Sequence, residues 1–138
     1  MSREPRWLPR TLVLALHEQF ASEHGGVSDA YDERRLEAAL ARPRTRQAYE
    51  DSSVFRLAAA YAFGIAREQP FPEGNPRVAL TLAAVFLEMN GWRLQATEAD
   101  AGTNTVALAA GELDEGAYAM WLEAASAPLE FGAAKRGH

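Results

Sequence analysis

An all-α bundle wrapped round one buried helix is the fold this sequence predicts, and three observations carry the prediction. Apolar residues recur at the three- and four-residue spacing of a helix face through almost the whole chain. The longest nearly uninterrupted apolar run, residues 78–87, has no polar face, as expected of a helix enclosed by others. Composition is that of an ordinary globular chain, 48% hydrophobic and 24% charged over 138 residues, enough for one domain with a real core. A single domain over 1–138 is therefore expected, with loose tails at 1–7 and 127–138.

The elements follow in order. A first helix carries Leu12, Val13, Ala15, Leu16 and Phe20, beginning after Pro9 and ending at Gly25-Gly26. Asp32 suits the N-cap of a short second helix with Leu36, Ala39 and Leu40, expected to stop at Pro43. Asp51-Ser52-Ser53 opens a third, with Phe55, Ala58, Ala59, Ala62, Phe63 and Ala66 on its face. A loop over 68–74 leads into the fourth, central helix, from about Asn75 to Asn90, terminated by Asn90-Gly91. Trp92 to Ala96 reads as a short extended segment. Thr97 caps a fifth helix through Ala99, Val106, Leu108 and Ala109, which Gly111 breaks, and Asp114 starts a last one with Tyr118, Trp121, Leu122 and Ala125. At this spacing Tyr61, Phe63, Phe86, Trp92 and Trp121 read as core rather than as a base-stacking pocket.

Several function classes drop out. There are no cysteines, which excludes disulfides, thiolate catalysis and cysteine-held zinc. A net charge of −5 argues against direct nucleic-acid binding, which needs a basic face. The local basic cluster of Arg34, Arg35, Arg42, Arg44 and Arg46 reads first as a solvated surface and second as a docking site for an acidic segment. No run is long enough to span a bilayer, and the first residues lack the apolar stretch of a signal peptide. The expectation is a cytoplasmic protein with no membrane partner.

Chemistry concentrates in Gln69-Pro70-Phe71-Pro72-Glu73-Gly74-Asn75-Pro76-Arg77. Gly74 permits a tight turn, Asn75 suits an N-cap, and Pro76 fits a first helical turn, where its missing N–H has no partner to lose. Arg77 places a permanent bidentate cation beside the positive end of the helix dipole. Such a helix start can hold an anion such as phosphate. Caps with a nearby arginine are common, so the spacing alone names no ligand.

The sequence resembles the Fic/Doc family, and within it the death-on-curing (Doc) toxin branch, from about Leu8 to Trp121. The resemblance runs through Leu16-His17-Glu18, Gly25-Gly26, the stretch from Leu36 to Pro43, Ala48-Tyr49-Glu50-Asp51, and the stretch from Ala59 to Ala66. It continues through the loop, Phe86-Leu87-Glu88-Met89-Asn90-Gly91, and the stretch from Gly111 to Glu115. The implied fold is a Fic/Doc-type helical bundle with its active loop just before the central helix. The family loop reads His-x-Phe-x-Asp/Asn-Ala/Gly-Asn-Lys-Arg in Doc proteins. Phe71 matches its hydrophobic anchor, Gly74 and Asn75 the helix start, and Arg77 the phosphate-contacting arginine. Gln69 stands at the histidine, Glu73 at the Asp or Asn that serves Mg²⁺, and Pro76 at the lysine.

The resemblance implies ATP- and Mg²⁺-dependent phosphorylation of a threonine on elongation factor Tu, and neutralisation by an antitoxin helix docked in a groove. In the family the histidine is the general base, a role a glutamine amide cannot take because it does not titrate near neutrality. Of the three histidines, His17 reads as a packed residue, His24 as a helix-end residue and His138 as part of the tail, so none replaces the base. Three readings stay open: a Doc-type toxin with an eroded loop and weak or no transfer, a catalytically silent binding or regulatory module, and a transferase using another base or nucleotide.

Overall fold

The computed structural model describes residues 4–24, 30–50 and 52–129. In chain order they form α1 (Arg10–His24), α2 (Glu33–Tyr49), α3 (Val54–Glu68), α4 (Asn75–Met89), β1 (Trp92–Leu94), α5 (Glu98–Ala110), α6 (Glu115–Ala124) and β2 (Ser126–Pro128). The starts of four helices are written locally. Asp32, Ser53, Thr97 and Asp114 each accept the backbone N–H three residues on, which satisfies an amide that has no partner within the helix. Asn90 closes α4, its N–H reaching the Phe86 and Leu87 carbonyls. Gly25-Gly26 and Asp51, expected at other boundaries, lie outside the described residues, as do His138 and the side chain of His24.

Helix α2 does not stop at Pro43 but runs through it to Tyr49. A proline inside a helix forfeits the bond to the carbonyl four residues back, here Ala39. That carbonyl faces α3 at very short range, because a Cβ on Gly64 would stand 2.8 Å from it. Pro43 and Ala39 are both buried, so packing against α3 holds α2 in line where local preference alone would end it.

The expectation of one enclosed helix is also adjusted. Helix α3 is the most enclosed, with an unbroken buried run from Leu57 to Ala62 followed by Gly64, Ile65 and Ala66. It packs on α2, α4 and α6. Helix α4 buries Val78, Ala79, Leu82, Ala83, Phe86 and Leu87 against it, while Leu80, Ala84 and Val85 remain half-buried. The five aromatics expected in the core are there: Tyr61 and Phe86 are fully buried, with Phe63, Trp92 and Trp121 packed against the same cluster. Burial pushes the Tyr61 phenol up from its usual value, and that of Tyr118, which pairs with the Thr105 hydroxyl at 2.8 Å, up to about 12.

The extended segment after α4 pairs antiparallel with β2, Trp92 opposite Pro128 and Leu94 opposite Ser126. Residues 127 and 128, expected within a loose tail, are thus strand, and Leu129 donates to the Gly91 carbonyl. Residues 6–8 are likewise fastened. Arg6 exchanges two backbone hydrogen bonds with the Asn90 side chain, Trp7 packs near Phe86, and the Leu8 N–H donates to the Tyr61 hydroxyl.

Most of the basic cluster is committed inside the molecule. Arg42 and Arg46 both pair with Glu115 on α6, at 2.7 and 3.1 Å, and Arg46 also meets Glu50. Arg42 lies over Phe63 and Arg44 over Trp7, while Arg35 faces Asp32. The Arg42 and Arg46 contacts bind α2 to α6, and Arg42 also binds it to α3.

Candidate functional site

The loop between α3 and α4 is fastened from below at several points. The Pro70 carbonyl accepts the Asp32 N–H at 2.7 Å, which ties the loop to the cap of α2. Phe71 is buried, and its ring stacks on His17 of α1 with centroids 3.9 Å apart and planes at 15°. Tyr31 approaches the same ring at 6.4 Å. Arg10, which forms an ion pair with Glu33, lies over Tyr31 and so joins the start of α1 to the segment behind the loop.

Asn75 makes the decisive loop contact, and it is not the expected one. Its Oδ1 accepts the Phe71 N–H at 3.1 Å, and its Nδ2 donates to the Phe71 carbonyl at 2.9 Å. The side chain therefore closes a ring back onto the loop and does not cap an amide of α4. The reason is positional. Gly74 is the N-cap residue, at a left-handed φ of 79°, and Asn75 is already helical, so its Cβ tilts back toward the helix start and the loop. Gly74 has no side chain to cap α4, and none among the described residues does so. Pro76 and Arg77 of its first turn lie exposed, and the Val78 N–H donates to the Gly74 carbonyl at 3.0 Å.

The exposed half of the loop holds the remaining candidate residues. Gln69 ends α3 at φ 48°, the one non-glycine residue in the left-handed region among the described residues, with its N–H on the Ile65 carbonyl at 2.9 Å. A left-handed backbone costs an ordinary L-residue about 1–2 kcal/mol, and here it turns the chain sharply off the helix. Glu73 is exposed and makes no ion pair among the described residues. No three His, Asp or Glu side chains gather as a metal site among the described residues. A divalent ion at Glu73 would take its other ligands from phosphate oxygens and water, which is the usual habit of Mg²⁺. Arg77 is exposed, pairs with no carboxylate among the described residues, and lies over the Phe20 ring at 5.4 Å.

From Arg77 a groove of about 540 Å³ runs along α4, walled by Phe20 of α1, Leu80 and Val85 of α4, Leu94 of β1, and Val106 of α5. Its lining is the half-buried apolar side of α4. The residue-by-residue reading missed Phe20, Leu80, Val85 and Val106 as groove residues. The signal was present in the run without a polar face, which meant either full enclosure or an apolar surface left for something else.

Residues 7–87 match the model of the Fic/DOC family, a span that takes in α1 to α3, the loop and most of α4. The chain belongs to the Fic/DOC family. The mostly helical architecture, with the loop placed just before α4, agrees with that membership. Protein kinase Doc of Escherichia phage P1 is 38% identical over 80 residues, covering 57% of this chain. The matched region spans 64% of that curated relative's length. The chain is thus a Doc-like member of the family. No helix among the described residues is long and apolar enough to cross a membrane.

Proposed function

We propose that this chain is a Doc-type toxin homologue of a toxin–antitoxin pair, one whose loop binds nucleotide phosphates through Arg77 but transfers a phosphoryl group weakly or not at all. The observation that carries the reading is an exposed arginine in the first turn of a helix, one that pairs with no carboxylate among the described residues and whose N-cap glycine offers no side chain. Arg77 offers two parallel donors, and the backbone at Gly74 and Asn75 adds the positive end of the helix. Pro76 supplies neither a charge nor an N–H. ATP bound here with Mg²⁺ would have its phosphate charge neutralised by the metal, and Glu73 is the carboxylate placed to hold it. The target in this reading is a threonine hydroxyl of elongation factor Tu.

Gln69 limits the chemistry. Its amide can orient a hydroxyl but cannot accept its proton, and loss of a positioned base costs about 10²–10⁴-fold. Among the described side chains the one histidine, His17, is buried beneath Phe71 and supplies no substitute at the surface. That observation also favours the second reading, a Fic-fold binding module without catalysis. The apolar groove beside Arg77 supports either reading, because it is suited to an amphipathic antitoxin helix laid along α4. Both readings take the chain as one domain working in the cytoplasm.

Incubating the purified chain with radiolabelled ATP, Mg²⁺ and elongation factor Tu tests the proposal. Transfer at least about 100-fold below that of an active Doc kinase is expected. Transfer at the full rate would refute the weakened-loop reading. The Gln69→His, Pro76→Lys double variant should gain transfer, and no gain would favour the binding module. Calorimetry with ATP should show weaker binding in Arg77→Ala, and equal affinity would remove Arg77 from the site.

A further inference from the structure

Helix α1 meets the loop and the first turn of α4 from one face. His17 stacks under Phe71, and Phe20, three residues on, lies beneath the guanidinium of Arg77. The first contact fixes the buried anchor of the loop. The second meets the one cationic side chain between residues 69 and 77. We propose that Phe20 is a positioning residue for Arg77, holding the guanidinium at the mouth of the groove before an anion arrives. The inference rests on the reading of Arg77 as the phosphate-binding residue.

The physical case is one of restraint. An exposed arginine has many rotamers, and a ligand that fixes it must offset the lost freedom. An aromatic face within about 6 Å of the guanidinium attracts it through the ring quadrupole and narrows that choice. Contact with a ring face engages the plane of the guanidinium and leaves its N–H edges for a bidentate phosphate. Phe20 is itself held, being half-buried and packed against the core cluster. The restraint matters more here because Pro76 gives the helix start no charge and no N–H of its own, so binding depends on how well one arginine is aimed. Phe20 also walls the groove, so the same ring touches both the anion site and whatever lies along α4.

Sodium pyrophosphate and ATP are the probes, titrated by calorimetry into the full chain and into Phe20→Leu, Phe20→Tyr and Arg77→Ala. Leucine keeps the apolar bulk and removes the π face, whereas tyrosine keeps both. Phe20→Leu should bind about two- to fivefold more weakly, with Phe20→Tyr close to the unaltered chain. The NMR signal of the Arg77 Nε–H should move toward its random-coil position in Phe20→Leu and return in Phe20→Tyr. Unchanged affinity in Phe20→Leu, or a loss that Phe20→Tyr does not rescue, overturns the proposal. If Arg77→Ala binds as tightly as the unaltered chain, or the unaltered chain binds neither probe, the phosphate reading fails and takes this inference with it. Arg77-dependent binding that ignores Phe20→Leu sinks the inference alone.

Discussion

Phe71 and Asn75 are 3% and 7% exposed beneath the loop, while Gln69, Glu73, Pro76 and Arg77, a residue or two away, lie open to solvent. The buried half is fully engaged, with both backbone groups of Phe71 held by one asparagine and its ring stacked on His17. The exposed half makes almost no contacts that the fold needs. Its carboxylate and its guanidinium pair with no opposite charge among the described residues. The comparison separates two kinds of constraint within nine residues. Phe71, Gly74 and Asn75 are positions the turn itself requires. Gln69, Glu73 and Pro76 are exposed positions, where folding tolerates exchange. Arg77 is exposed as well, in the first turn of α4, and the proposed anion site rests on it.

The largest expected effect breaks the buried half. Phe71→Ala should lower unfolding stability in urea by about 3–5 kcal/mol, the cost of emptying a packed aromatic site. A loss under about 1 kcal/mol would mean that the underside is not fastened as described. Asn75→Ala comes next, at about 2–3 kcal/mol, because it strands the buried N–H and carbonyl of Phe71 together. Hydrogen exchange at the Phe71 amide should accelerate in the same variant, and an unchanged rate would argue that another group holds that amide.

Gln69→Gly sharpens the comparison from the exposed side and should move stability the other way. Relief of the left-handed backbone should raise it by about 1 kcal/mol, with the amide side chain lost. A destabilised variant would show that the Gln69 side chain makes contacts the fold depends on. Glu73→Gln should be the smallest change, within about 0.5 kcal/mol by the same urea titration, because an exposed carboxylate without a partner has little to lose. A larger drop would place Glu73 with the buried half.

Much of the fold was legible residue by residue, for reasons that are local. Asp32, Ser53, Thr97 and Asp114 cap their helices through contacts spanning three residues, and such contacts depend on sequence alone. The helical spacing of Phe55 to Ala66 and of Val78 to Leu87 likewise announced which elements build the core, and the loop stood out by its prolines and glycine. Pro43 was misread because local rules end a helix there, whereas its burial and the close approach of Gly64 to the Ala39 carbonyl belong to the packing against α3. The role of Asn75 was misread because an N-cap and a first helical residue differ by one position, which the turn at Gly74 decides.

By itself the sequence determined the helices, the place of the loop, and the presence of one arginine at a helix start without a titrating base at Gln69. The pairing of β1 with β2, the stack of His17 under Phe71, the ring of Phe20 beneath Arg77 and the groove along α4 were decided by tertiary structure. Each joins residues far apart in the chain, and no periodicity or cap encodes which distant side chain will face which. An apolar run fixes that a helix will bury surface; only the packed neighbours fix which part of that surface stays open.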